Sequence, residues 1–236
     1  MKLYKKIVLT SILLLPMMAQ ASGIGLYVPM AASTSSVRED VDTGETNNLD
    51  YEPSYGIGFV YDTNVGKDEM YGYRLGLEYL NMGLDKIESY SYTGDETYTR
   101  YNMVNTFEFG LVTTKNIRFW IGPRLNIAYE TFSEGTYEES AVEFGIAPAL
   151  GTNINLGSVV SLGFDVDYRF AAVGGTWEGS YSDGSFTATA KGLTARFYLL
   201  FRFGETRNDA VSPVSNTNTN TTPSYQDDDS VIDDSL

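Results

Sequence analysis

The 236-residue sequence contains no cysteine and no histidine. The first absence excludes disulfides and thiolate metal sites. The second removes the side chain most often used as a general base near neutral pH. Long hydrophobic runs are also missing, because beyond residue 21 no segment approaches the length of a transmembrane helix. Positive charge is scarce, with 16 Lys and Arg against 31 Asp and Glu and a formal charge of −15. That balance argues against a nucleic-acid partner, which requires a basic footprint.

What the sequence does contain begins with a leader. Lys2, Lys5 and Lys6 precede a short apolar run over residues 7–18, and Ala19 and Ala21 flank Gln20 as a small-x-small cleavage site. The run is too short for a membrane anchor, so residues 1–21 are expected to be a cleaved signal peptide. No cysteine follows the cleavage site, and lipoprotein processing is therefore not expected. Without the three signal lysines the remaining charge is −18.

Residues 192–203 set the pattern for the rest of the chain. Leu193, Ala195, Phe197, Leu199, Phe201 and Phe203 alternate with Gly192, Thr194, Arg196, Tyr198 and Arg202. A period of two means an extended strand with one apolar and one polar face. Twelve residues are also enough to cross a bilayer at a tilt. Seven further segments repeat the design, at 23–30, 55–61, 71–80, 102–112, 117–130, 142–151 and 160–170. Windowed hydropathy misses such strands because lipid-facing and lumen-facing residues cancel. The connections 31–54, 81–101, 131–141 and 171–191 read as long, and 62–70, 113–116 and 152–159 as short. The expected fold class is therefore all-β, an eight-stranded transmembrane up-and-down antiparallel β-barrel over residues 22–204 with short periplasmic turns and long surface loops. Residues 205–236 are rich in Asn, Thr and Asp with few apolar side chains, and read as a disordered acidic periplasmic tail.

The polar face carries Arg74, Arg118, Arg124, Arg169, Arg196 and Arg202 together with Glu78, Glu108, Glu130, Glu143, Asp165 and Asp167. Cations and anions balance there, in a chain that is otherwise acidic, and no lysine is among them. Guanidinium pairs carboxylates bidentately and stays protonated. An enclosed network is thus expected, with interleaved glycines making room for its long side chains. An eight-stranded barrel has an interior that side chains just fill, so the network would plug it. The opposite face suits acyl chains, and Tyr55, Tyr61, Tyr71, Tyr79, Tyr129 and Tyr168 fall near strand ends as an aromatic girdle would. Pro123 and Pro148 fall mid-strand, where a bulge or register shift is expected, and Asn105 is a polar residue on the lipid face.

The leader, the hairpin from Asn105, Phe107 and Glu108 to Arg118, Trp120 and Arg124, and the aromatic-ended last strand resemble the small outer-membrane β-barrel superfamily, the OmpA/OmpX/OmpW-like eight-stranded proteins. The likeness covers residues 22–204 and departs after Phe203, where many relatives end. It implies residence in the outer membrane, contact with outer-membrane lipid and lipopolysaccharide, and assistance from barrel-assembly machinery. The enzymes among such barrels imply a catalytic histidine, which is lacking here, so neither catalysis nor a cofactor is expected. Two roles remain. One is a structural or surface-recognition component acting through acidic loops that carry Tyr90, Tyr92, Tyr98, Trp177 and Tyr181 toward an extracellular partner. The other is a narrow or gated pore. No loop shows a Ca²⁺-binding spacing, so no metal is expected.

Overall fold

In the computed structural model the described residues are 23–65, 69–87, 90–91, 97–180 and 182–203. The leader and the tail lie outside them, as do Tyr92 and Tyr181. The described residues are all-β and contain no helix. They form β1 (Gly23–Asp40), β2 (Thr46–Tyr51), β3 (Ser54–Asp62), β4 (Tyr71–Ile87), β5 (Tyr90–Ser91), β6 (Thr97–Thr113), β7 (Ile117–Glu134), β8 (Tyr137–Leu156), β9 (Val160–Glu178) and β10 (Asp183–Arg202).

All pairings are antiparallel and the sheet follows the order β10-β9-β8-β7-β6-β4-β2-β1-β3, with β5 on β4. Pairing of β10 with β1 and of β3 with β4 joins the two ends of that order into a ring. β2 and β3 share one position between β1 and β4, interrupted at Glu52 and Pro53. The end where Gly23 and Arg202 pair is here the lower end, and the end holding the β7–β8 turn is the upper.

The strands run well beyond the segments that alternation marks. The expected long loop over residues 131–141 is a tight turn at Gly135 and Thr136, with Gly135 at φ 59°. Only glycine adopts that conformation without steric cost. Much of the expected loops 31–54, 81–101 and 171–191 is strand as well. The reason is a change of face. In the lower part, apolar side chains such as Leu77, Phe107, Phe144, Ile146 and Phe197 point outward and are exposed. Above Tyr79 the apolar side chains turn inward: Leu49, Leu80, Met82, Leu84 and Phe186 are buried, while Asn81, Thr99 and Glu178 face out. The period of two persists but its apolar parity reverses.

Two details correct the sequence reading. Pro123 and Pro148 are direct partners in β7–β8, and the register continues through them without a shift. Neither can donate, so they form a non-hydrogen-bonded pair whose missing N–H groups fall on the outer sides, toward β6 and β9. Those are the two ladders that skip residues there, and both resume in register. The shift in β6–β7 lies instead between Gly110 and Val112. Asn105 does lie on the outer face, but the Tyr73 hydroxyl covers it and donates to its Oδ1 at 2.7 Å. Of the expected girdle, Tyr55, Tyr71, Tyr79, Tyr129 and Tyr168 are exposed, whereas Tyr61 is buried.

Candidate functional site

The lumen is the first candidate. Near the lower end Tyr27, Val60, Val65, Tyr198 and Leu200 form a buried apolar cluster, with Tyr27 and Tyr198 stacked at 4.8 Å between centroids. Room for this cluster and for the buried Trp120 comes from glycines paired with the rings on adjacent strands, Gly58 with Tyr27 and Gly151 with Trp120. A Cβ on Gly58 would lie 2.3 Å from the Tyr27 ring, and one on Gly151 would lie 2.4 Å from the Trp120 ring.

Charge fills the space above and around this cluster. Arg74 pairs with Asp62 at 2.7 Å, Glu108 at 3.2 Å and Asp165 at 3.2 Å, and its guanidinium lies over Tyr198 at 4.6 Å. Glu108 also takes Arg118. Arg124 holds Asp165 at 2.8 Å and Asp167 at 2.5 Å and donates to Thr106 Oγ1. Arg196 binds Glu78, Asp165 and Asp167. Tyr198 donates to Asp165 at 2.6 Å. A second group lies higher, where Arg100 pairs with Glu130 at 2.5 Å and Glu143 at 2.7 Å, and Arg169 with Glu143 at 3.3 Å.

Eleven of the twelve residues expected in the lumen therefore lie in these two groups. Arg202 does not. It sits at the lower rim, half-exposed, and donates to the Gly157 carbonyl. Its place in the ion count is taken by Arg100, and Asp62 joins as a further acid. Both fall at or beyond the edges of segments 102–112 and 55–61, where the alternation signal fades.

The upper mouth is the second candidate. Arg38, expected in an exposed loop, lies on β1 and points inward. Below the bulge between Ala31 and Ser33 the even-numbered residues of β1 face out; above it they face in. Arg38 Nη1 donates to Glu139 Oε2 at 2.6 Å, its guanidinium lies 3.6 Å over the Phe186 ring, and Tyr137 donates to the same Glu139 oxygen at 3.0 Å. Burial opposes the charge on Arg38, but Glu139 outweighs it and holds the guanidinium above its usual value. Burial, then Glu139, pushes the Tyr98 and Tyr137 hydroxyls up.

Tyr98 and Trp177 belong to strands and line this mouth rather than a loop. Tyr98 stacks on Phe132 at 4.8 Å, Phe132 meets Tyr137 at 5.9 Å, and Tyr137 stacks on Trp177 at 6.1 Å. Trp177 Nε1 donates to Asp40 Oδ2 at 3.3 Å. Tyr90 is in β5. The rings enclose one side of a cavity of about 430 Å³. Among the described residues no group of three or more Asp or Glu is arranged to hold a metal ion.

With this geometry in hand, the chain compares with OprG, an outer membrane protein from Pseudomonas aeruginosa, at a TM-score of 0.57 and 11% identity, over 79% of this chain and 98% of that one. The fold is that of an outer-membrane β-barrel. Neisserial surface protein A also matches, at a TM-score of 0.41 and 14% identity over 78% of this chain and 99% of that one. So does the outer membrane protease OmpT from Escherichia coli, at 0.33 and 8% over 77% and 97%. Only the first is close enough to carry weight, and at that identity it speaks for fold alone. No protein-family model and no curated protein sequence matches the chain.

Proposed function

We propose that the protein is an integral outer-membrane β-barrel of eight strand positions in up-and-down order, with a plugged lumen and a structural or surface-recognition role at its upper end. The observation that carries this reading is the reversal of faces. Soluble proteins rarely expose contiguous apolar patches beyond a few hundred Å², yet here apolar side chains face outward from strand after strand, with Phe144 62% and Ile146 63% exposed. The same ring buries its arginines and carboxylates. That arrangement suits a solvent that is hydrocarbon outside the lower part and water outside the upper part. Counting β2 and β3 as one position supports eight.

A plug is favoured over a pore because the inward charges are consumed by one another. The spaces left around Arg100 and Glu143, and around Glu78 and Arg196, measure about 20 and 10 Å³, room for roughly a water each. The same pairing speaks against catalysis by these carboxylates. Outer-membrane lipid and lipopolysaccharide would surround the apolar belt, barrel-assembly machinery would insert it, and an extracellular partner would meet the upper mouth.

Two measurements test the reading. An unboiled sample in SDS should migrate differently from a boiled one, as closed barrels do, and recovery as a soluble periplasmic protein would overturn membrane residence. In a planar bilayer the refolded protein should show no steady conductance; a steady single-channel current would replace the plug with a pore.

A further inference from the structure

We propose that the upper mouth is a binding site for a small organic cation, of the aliphatic polyamine class. The proposal deepens the reading above and rests on the mouth facing outward. The cavity of about 430 Å³ falls within the range of small-molecule sites, which combine an apolar lining with a few placed polar groups. Its apolar part is the wall made by Leu49, Leu84 and the Tyr98–Phe132–Tyr137–Trp177 rings. The rings pack on one another, so they present a continuous hydrocarbon surface suited to a methylene chain.

The charge on the lining selects the sign of the ligand. Arg38 is the only cation among the described lining residues, and it is already held by Glu139 and laid over Phe186. Asp40 is occupied by Thr43, by two backbone N–H groups and by Trp177. Glu45 and Glu134 are different: both line the cavity and are exposed, and neither carboxylate has a hydrogen-bond or ion-pair partner among the described residues. Two unneutralised carboxylates above an apolar wall fit ammonium groups joined by an alkyl chain, and they oppose an anion.

The protein has two tryptophans, and Trp120 is buried in the lumen, so Trp177 emission reports on the mouth. Full-length protein refolded in detergent micelles would be titrated with spermidine, with 1,8-octanediol and glucose as neutral probes and Mg²⁺ as an inorganic one. Spermidine should give a saturable change that disappears in Trp177→Phe. Glu45→Gln combined with Glu134→Gln should weaken it by about tenfold, as loss of charge-assisted contacts implies. The SDS shift on boiling should be retained in every variant.

A spermidine response that is absent, unsaturable or unchanged in the double variant overturns the proposal. An equal response to octanediol or glucose shows a merely apolar or sugar-accepting mouth, and an equal response to Mg²⁺ shows a diffuse acidic rim; each overturns it too. A signal surviving in Trp177→Phe places the effect elsewhere. Conductance is read separately: a conducting barrel that binds spermidine removes the plug and keeps the site, whereas a silent barrel that ignores spermidine does the reverse.

Discussion

Arg124 is wholly buried, and its guanidinium is divided among Thr106, Asp165 and Asp167. Removing one side of a buried pair strands the other charge and costs about 3–5 kcal/mol, whereas a surface pair contributes about 0–1 kcal/mol. Arg124→Ala should therefore lower the urea midpoint of the refolded barrel clearly, and Arg202→Ala, at the half-exposed rim, should barely move it. Equal effects would show that the lumen is hydrated and its ions are screened. Arg38 is no neutral comparison, because it is tied to Glu139 and Phe186. Gly151 offers a test of packing: a Cβ there would meet the Trp120 ring at 2.4 Å and the Asp165 Cβ at 2.7 Å. Gly151→Val should destabilise by about 1–3 kcal/mol through overpacking, read from the same urea curves. Arginine and carboxylate identities were legible in the sequence, since alternation marks which side chains point inward. Arg100 and Asp62 were not, because they lie where a strand passes out of the apolar belt or reaches its turn.

At the scale of elements, β4 and β6 meet on the outer face through Tyr73 and Asn105. Tyr73→Phe takes the donor from Asn105 Oδ1 on the outer face, and an unsatisfied buried polar group costs about 1–3 kcal/mol. The double variant Tyr73→Phe/Asn105→Leu should recover most of that loss in equilibrium unfolding. The β1–β2 turn has a different dependence. Asp40 is held below the usual carboxyl range chiefly by the backbone N–H of Thr43, helped by the Thr43 hydroxyl, Asp42 N–H and Trp177. Its folded value lies below the unfolded one, so its contribution is complete above the ordinary Asp pKa of about 4 and is lost as pH falls through the folded value. Trp177 emission should thus be constant from neutral pH down to roughly 5 and shift only in more acid solution. Asp40→Ala should show the acid-like emission already at pH 7; emission unchanged by either treatment would mean that Asp40 does not hold the indole.

For the whole molecule, the ring is completed when β10 pairs with β1 from Gly23↔Arg202 upward. The paired residues that make this closure end at Arg202. A chain truncated after Gly204 should insert and show the same shift on boiling as the full chain. Loss of insertion would give residues 205–236 an assembly role that their composition conceals. The apolar belt and the ring depend on each other, because only a closed sheet satisfies every backbone donor and acceptor in hydrocarbon.

The sequence by itself determined the strand class, the outward apolar set and the inward ions of the lower part, because one side-chain period of two reports both faces wherever the two surroundings differ. Tertiary structure decided what happens where that contrast reverses. Water outside the upper strands sends Leu80, Met82, Leu84 and Phe186 inward, and a bulge of a single residue in β1 turns Arg38 into the mouth. A bulge flips every later side chain to the other face, and no local composition announces it. Pairs such as Arg74–Asp62 and Arg100–Glu130 are cross-strand register partners, but which guanidinium meets which carboxylate across the lumen was decided only by the closed ring, since Arg74 and Asp165 lie 91 residues apart in the chain.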